Sequence, residues 1–265
     1  MNFSIAAEKP IFVIDEYPIF APIMEKTVKP YDPKGSKKGQ VTRMFDNIAP
    51  YYDFLNRFLS LGIDTIWRKK AIAQLRDKDP KVVLDVATGT ADLAIEVARQ
   101  LKPEKIVGVD ISREMLDIGQ KKLARKKLDD LIELTLGDSE NLPFGDNTFD
   151  AVTVAFGVRN FENLALGLRE IYRVLKPEGQ LVVLEFSKPT LFPFKQLFNF
   201  YFKNILPFIG RFTSKDPKAY SYLYESVQAF PDGELFLKAL ESAGFNQNVA
   251  TPLTLGICSI YSGRK

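Results

Sequence analysis

The sequence predicts an α/β fold built on a mostly parallel sheet with helices on both faces. Between residues 82 and 184, short apolar runs alternate with helical patterns, and such alternation makes parallel strands joined by crossover helices. The runs, such as Val82-Val-Leu-Asp-Val86, are apolar almost throughout, as expected of strands covered on both faces. Several end on an acidic residue or a small-residue turn, at the edge where open parallel sheets gather their ligands.

Taken in order, residues 1–38 carry Pro10, Pro18, Pro22, Pro30 and Pro33 and run into Lys34-Gly-Ser-Lys-Lys-Gly39. This composition predicts a poorly ordered tail ahead of a domain over 39–265. Met24 opens a more ordinary polar leader, so a translation start there is an expectation beside Met1. From 41 to 75 the spacing is helical, with Met44, Phe45 and Ile48, then Phe54, Leu55 and Phe58, then Ile66, Trp67, Ala71 and Ile72. The alternation follows: strand 82–86, helix 93–101, strand 105–109 ending in Asp110, helix 113–127, and strand 132–136 ending in Gly137-Asp138. Strand 149–155, helix 164–175 and strand 180–184 complete it. An aromatic insertion over about 191–230, with Phe192, Phe194, Phe198, Phe208, Phe212 and Tyr220 among Lys195, Lys203, Arg211 and Lys215, reads as a helical lid. A helix over 233–243 and one or two closing strands within 249–261 end the chain.

Composition narrows the chemistry. The chain has 265 residues, 46% of them hydrophobic, enough for one large domain with a normal core. Its net charge of +3 carries no polyanion signal, so no nucleic acid is expected. There is no histidine and a single cysteine, Cys258. That excludes Ser-His-Asp and Cys-His catalysis, histidine-ligated metals, cysteine-based zinc and an internal disulfide. A general base must be Asp, Glu, Tyr, Lys or water, and no metal is expected. No apolar run approaches a spanning helix, and Met1 to Ala21 contains Glu8, Lys9, Asp15 and Glu16, unlike a signal peptide. The expected location is cytoplasmic, with a peripheral seat on the inner face of the cell membrane left open.

Four strand ends carry candidate ligand groups. They are the turn from Asp85 through Gly89 to Asp92, Asp110 about 20 residues after the glycine, Asp138-Ser139, and Gly157-Val-Arg-Asn160. A carboxylate at the second position suits a ribose diol, and one at the third an exocyclic amine. The alternative for Asp110 is a helix N-cap, a role Ser112 with Glu114 can also fill. Dinucleotide turns want G-x-G-x-x-G, so that backbone amides approach a pyrophosphate. Here the turn is Ala87-Thr-Gly-Thr-Ala-Asp92, with one glycine and a carboxylate where a phosphate would lie. That charge disfavours a pyrophosphate and favours S-adenosylmethionine, which carries a sulfonium and an ammonium and no phosphate.

The chain resembles the ubiquinone/menaquinone biosynthesis C-methyltransferases, within the class I S-adenosylmethionine-dependent methyltransferases. The resemblance is carried by Tyr52-Asp-Phe-Leu-Asn56 with Leu59-Ser-Leu-Gly-Ile-Asp-Thr-Ile-Trp67, by Gly137-Asp-Ser-Glu-Asn-Leu-Pro-Phe144, and by Phe156-Gly-Val-Arg-Asn160. It continues in Arg173 to Ser187 and in Tyr220 to Pro231, so it runs from about Val41 to the C-terminus. Two departures stand out: Asp64 where the family usually has histidine, and Glu178-Gly179 where it usually has a glycine pair. The resemblance implies a Rossmann-like, seven-stranded fold and methylation of a ring carbon of a prenylated hydroquinone, with demethylmenaquinol as the expected substrate. A ubiquinone precursor, another lipid phenol or sterol, or an inactive donor-binding scaffold are the alternatives. It also implies that Thr90, Asp110, Asp138 and Ser139 contact the methyl donor, with Asp85 and Gly89 shaping the first turn.

For such a reaction the enzyme aligns the carbon nucleophile with the methyl group and excludes water. Arg159 is expected to stabilise the phenolate and Asn160 to orient it. The competing reading of Arg159 is a structural ion pair with Asp138 or Glu162. Tyr51, Tyr52, Glu185 and water are the candidate bases, and Tyr52-Asp53 can instead pack the N-terminal helices over the donor. The aromatic insertion reads both as a lid core and as a channel for an isoprenoid tail, with basic residues at a membrane-facing rim.

Overall fold

The computed structural model describes residues 28–205 and 216–265. The Met24 start, most of the expected tail, and Phe208, Arg211, Phe212 and Lys215 of the lid lie outside the described residues.

The centre is a seven-stranded sheet of β1 (Val82–Val86), β2 (Lys105–Asp110), β3 (Ile132–Leu136), β4 (Phe149–Ala155), β5 (Leu175–Phe186), β6 (Asn246–Leu253) and β7 (Cys258–Arg264), in the order β3-β2-β1-β4-β5-β7-β6. Strands β1 to β5 pair in parallel, and β7 runs antiparallel between β5 and β6. The chain winds outward from β1 to β3 and then crosses back to β4. A crevice therefore opens at the carboxyl ends of β1 and β4, where strand order reverses.

Helices α1 (Lys37–Ile48), α2 (Tyr52–Leu59) and α3 (Ile63–Ala73) precede the sheet, and α4 (Asp92–Leu101), α5 (Arg113–Lys126) and α6 (Leu164–Val174) connect its strands. Pleating sends alternate residues to opposite faces. Leu84 and Val86 join a core with Leu168 and Ile171 of α6, while Val83 packs with Ile72 of α3 and Val97 of α4. Both cores are apolar, and each fully buried Val or Leu contributes about 1.5–3 kcal/mol. Ser112 caps α5, its hydroxyl accepting from the Met115 N–H at 3.2 Å, and Asn163 caps α6. The cap therefore belongs to Ser112, and Asp110 is left for another task.

The strand expected over 180–184 is longer, because Leu175 already pairs with Phe149 and the register then shifts. Glu178, the second departure from the family pattern, has φ +65, a left-handed conformation that glycine adopts without strain. The closing region forms two strands.

Within the aromatic insertion lie α7 (Phe194–Phe200), a π-helical turn at Tyr201–Ile205, and α8 (Pro217–Ala229), followed by α9 (Glu234–Ser242). Phe198, Phe202, Tyr220 and Val227 bury against Leu55 of α2, so part of the aromatic insertion is a core of its own. Leu191, Phe192, Leu197 and Phe200 face solvent. Helix α1 begins inside the stretch expected as tail. It packs Val41 and Met44 against Ala219 and Tyr222 of α8, and the Tyr31 hydroxyl donates to Asp216 at the start of that helix. No helix among the described residues is long and apolar enough to cross a membrane.

Candidate active site

The turn after β1 is tightly wound. Ala87, Gly89 and Ala91 all take positive φ, +53, +56 and +66, a cost in backbone energy of the kind that persists at functional sites. Its floor is Asp85, fully buried, whose two oxygens accept from the Thr88 hydroxyl at 2.6 Å and the Thr153 hydroxyl at 2.8 Å. Burial pushes Asp85 up to about 6. Asp110, at the end of β2, accepts from the Gly89 N–H at 2.8 Å and the Ser112 N–H at 2.9 Å. Burial raises it as well, against the backbone donors that favour its charged form.

Two cavities meet above this turn. The smaller, about 700 Å³ with its opening, is lined by Gly89, Asp110, Asp138, Ser139 and Glu140, by Met115 and Ile111, and by Lys38 and Val41 of α1. The larger, about 1930 Å³ with its opening, runs between α2, α3, α7 and α8 and is lined mainly by Leu55, Trp67, Phe186, Phe198, Phe202 and other apolar side chains. Phe45, Tyr52, Phe156 and Asn160 line both.

Of the residues expected at the donor, Gly89, Asp110, Asp138 and Ser139 line the smaller cavity. Asp85 and Thr90 stand behind its wall: Asp85 is turned into the sheet by the two threonines, and the Thr90 hydroxyl is held by Asp53 at 2.5 Å and Lys122 at 3.0 Å. Asp92 also lies outside the lining, paired with Lys122 at 2.6 Å and Arg68 at 4.0 Å. Its charge is neutralised locally, so the electrostatic case against a pyrophosphate does not rest on it. The case rests on Asp110, Asp138, Glu140 and Glu162, which line the cavity with Lys38 as its one cation among the described residues. A polyphosphate is repelled there, whereas a diol, an amine or a cationic ligand is suited.

Arg159, in the turn after β4, lines the larger cavity. It is in an ion pair, but its partner is Glu185 at 2.6 Å, with neither Asp138 nor Glu162 involved. Asp138 is taken by Lys38 at 2.6 Å and Glu162 by the Lys37 N–H at 2.7 Å, while β5 lies beside β4 and brings Glu185 under the turn. The Phe156 carbonyl also accepts from Arg159 at 2.6 Å, and the buried Nε–H of Arg159 has no acceptor among the described residues. Asn160 donates to the Phe156 carbonyl at 3.2 Å and accepts from the Tyr222 hydroxyl at 3.1 Å. Tyr52 is half-buried, hydrogen-bonded to Asn56, and raised above its ordinary value by desolvation. Asp64, the first departure, is ion-paired with Arg68 and accepts from the Ser60 hydroxyl at 2.8 Å, at the wall of the larger cavity.

Sequence reasoning missed Lys38, which bridges Asp138 and Glu140 from α1, because it sits in a Lys/Gly/Ser stretch with no local signal. It also missed Phe45 as a lining residue and Lys122 as the partner of Asp53 at 2.6 Å, although Tyr52-Asp53 was expected to pack over the donor.

The chain is similar to known proteins over nearly its whole length. It is 48% identical over 241 residues to the demethylmenaquinone methyltransferase of Bacteroides fragilis, covering 91% of this chain and 98% of that protein. The demethylmenaquinone methyltransferase of Porphyromonas gingivalis is 46% identical, with 90% and 98% covered. The ubiquinone/menaquinone biosynthesis C-methyltransferase UbiE of Geotalea daltonii is 44% identical, with 88% and 99% covered. Among solved structures, a SAM-dependent methyltransferase from Thermotoga maritima superposes with a TM-score of 0.60 at 19% identity, covering 84% of this chain and 99% of that one. One from Aquifex aeolicus gives 0.53 at 18%, with 73% and 88% covered. These two likenesses concern the fold. The profile of the ubiE/COQ5 methyltransferase family matches residues 33–265, and the chain belongs to that family.

Proposed function

We propose that this chain methylates a ring carbon of demethylmenaquinol, using S-adenosylmethionine as methyl donor. The observation that carries the reading is the meeting of an acidic, small cavity with a large apolar one at Phe45, Tyr52, Phe156 and Asn160. The relatives from Bacteroides fragilis and Porphyromonas gingivalis bear the demethylmenaquinone name, which supports this ring over a ubiquinone precursor.

When bound, S-adenosylmethionine supplies a methyl group activated on a sulfonium. The smaller cavity suits its adenosyl part. Asp110 accepts from the ribose diol, Asp138 beside Ser139 accepts from the exocyclic amine, and Gly89 leaves room for close backbone approach. Tyr52 and Phe156 close the junction and exclude water. The prenylated ring enters through the larger cavity, whose apolar walls suit an isoprenoid tail.

A phenol loses its proton near pKa ~10, and the ring carbon beside the oxygen is a nucleophile only then. Glu185 and the Phe156 carbonyl hold the Arg159 guanidinium and offset its charge, and its Nε–H, without an acceptor among the described residues, is the charge-assisted donor that suits a substrate oxygen and favours the phenolate. Asn160 orients the ring. Burial keeps Tyr52 protonated at neutral pH, and Glu185 is committed to Arg159 and to the Phe186 N–H at 2.9 Å. Tyr51 is exposed and lines neither cavity, which leaves water as the proton acceptor.

A peripheral seat on the inner face of the cell membrane completes the proposal. Phe58, Leu61 and Leu197 line the larger cavity and are exposed, and Phe54 on α2 and Leu191, Phe192 and Phe200 at and beside α7 are exposed near them in sequence, with Leu61 85% and Phe192 80% exposed. Arg57, Lys195 and Lys203 are exposed beside them, and residues 188–205 contain no carboxylate. That charge suits anionic headgroups.

The test is transfer of the labelled methyl group of S-adenosylmethionine to reduced demethylmenaquinone, beside a ubiquinone precursor and a sterol. Methylation of demethylmenaquinol is the expected result, and accumulation of demethylmenaquinone is expected in a strain lacking the protein. Turnover of another acceptor alone would replace the substrate, and donor binding without any turnover would support a scaffold.

A further inference from the structure

The α2 segment that supplies Tyr52 is a short helix of 8 residues with no side-chain N-cap, and a helix of that length is marginal without tertiary anchors. Its inner face is apolar, through Leu55, but the residue next to Tyr52 is Asp53, a charge brought against the turn after β1. Asp53 Oδ1 accepts from the Thr90 hydroxyl at 2.5 Å, and Asp53 Oδ2 lies 2.6 Å from Lys122 Nζ on α5. The same ammonium lies 2.6 Å from Asp92 Oδ1 and donates to Thr90 Oγ1 at 3.0 Å. A lysine has three N–H donors, and these three acceptors use all of them. They come from three places: the helix that carries Tyr52, the helix α4 that starts beside the turn, and the turn itself.

We infer that Lys122 is a positioning residue for donor binding: it pins Asp53, and so seats Tyr52, over Gly89 and the smaller cavity. The inference rests on the reading of that cavity as the donor site. The Tyr52 ring stands 3.9 Å from the point a Gly89 Cβ would occupy, so it roofs the turn directly. Without the lysine, Asp53 and Asp92 lose the one ammonium that contacts both among the described residues. Two carboxylates so placed repel, and an uncompensated charge in a partly buried site is costly. Among the described residues Asp92 keeps Arg68 at 4.0 Å, whereas the contact left to Asp53 is the Thr90 hydroxyl, so α2 is the element that yields. Lys122 itself has a side chain 18% exposed and is absent from the lining of either cavity, so its effect on binding is indirect.

The experiment is calorimetric titration of S-adenosylmethionine into the full chain, as the unmodified protein, Lys122→Met, Asp53→Asn and the double variant, with thermal melts of each. Lys122→Met is expected to weaken donor binding about tenfold or more while the folded protein persists. Asp53→Asn, which keeps an oxygen for Thr90 and loses the charge, is expected to weaken it less. The double variant should fall well short of the sum, because both substitutions break one contact. Initial rates should show the loss first in the donor KM, a split that a merely structural role would not produce. Donor affinity within twofold of the unmodified protein in both folded single variants would overturn the inference, as would full additivity. Should Lys122→Met fail to fold, Asp53→Asn alone decides by the same criterion. No binding of S-adenosylmethionine by the unmodified chain would overturn the donor reading itself, and the inference with it.

Discussion

Replacing Asp85 with asparagine should change how the stability of this protein depends on pH. The carboxylate is fully buried under the turn after β1, where two threonine hydroxyls satisfy it. Burial nonetheless pushes it from 3.8 to about 6, with Asp110 adding to the rise and Arg68 opposing it. The sign follows from linkage. Between about pH 4 and 6 the native state binds this proton and the unfolded chain releases it, so stability falls as pH rises through that window. Above it both states are ionised and the full cost remains, about 3 kcal/mol for a shift of about two units. Asparagine carries no such cost, although one threonine hydroxyl must then turn to accept from the amide. Urea unfolding of both proteins at pH 4, 5.5 and 7.5 measures the difference. Relative to Asp85→Asn, the unmodified protein should lose about 2.4 kcal/mol between the extremes, because at pH 4 the unfolded carboxyl is already more than half ionised. Parallel profiles, or a relative gain with rising pH, would refute the reasoning. Asp110 and Glu185, also raised by burial, titrate in both proteins and largely cancel in the comparison.

Three further outcomes are expected. Arg159→Met should lower kcat about 10²- to 10³-fold with donor affinity nearly unchanged; equal losses in both would argue against a role confined to the transition state. Because it leaves Glu185 buried without its cation, the variant should also be destabilised by about 3–5 kcal/mol, and adding Glu185→Gln should recover part of that on a urea curve. Gly89→Ala forces a side chain into φ +56, so it should cost about 1–2 kcal/mol in a thermal melt and weaken donor binding, with no clash against Tyr52. Phe58→Ser with Phe192→Ser should reduce co-sedimentation with anionic liposomes at low salt, and absence of binding by the unmodified protein would remove the membrane seat.

The identity of most elements was legible in local patterns. Val82 to Val86 reads as a doubly covered strand because apolar side chains fill both faces of the pleat. Ser112 with Glu114 marks the start of α5 because the cap satisfies its own N–H groups two or three residues away. Asp110, Asp138, Ser139 and Gly89 were legible as lining residues because strand ends in a parallel sheet converge on one edge. The ring to be methylated came only with the longer motifs and the relatives that share them.

What the sequence by itself determined about this protein is therefore the alternation, a helix start near Ser112, the glycine turn after the first strand and the chemistry its missing histidines exclude. These depend on interactions within a few residues, or on composition. Only the tertiary structure decided which charges meet. Lys38 reaches Asp138 across 100 residues, and Lys122 reaches Asp92 across 30. Arg159 finds Glu185 across 26, in place of the carboxylates nearer in the motif. It likewise decided that Thr90 and Asp85 stand behind the cavity wall and that Asp92 is neutralised by its neighbours. The physical reason is that an ion pair in a folded chain is chosen by which strand lies beside which. That order is set by crossovers and core packing, and spacing along the sequence carries no record of it.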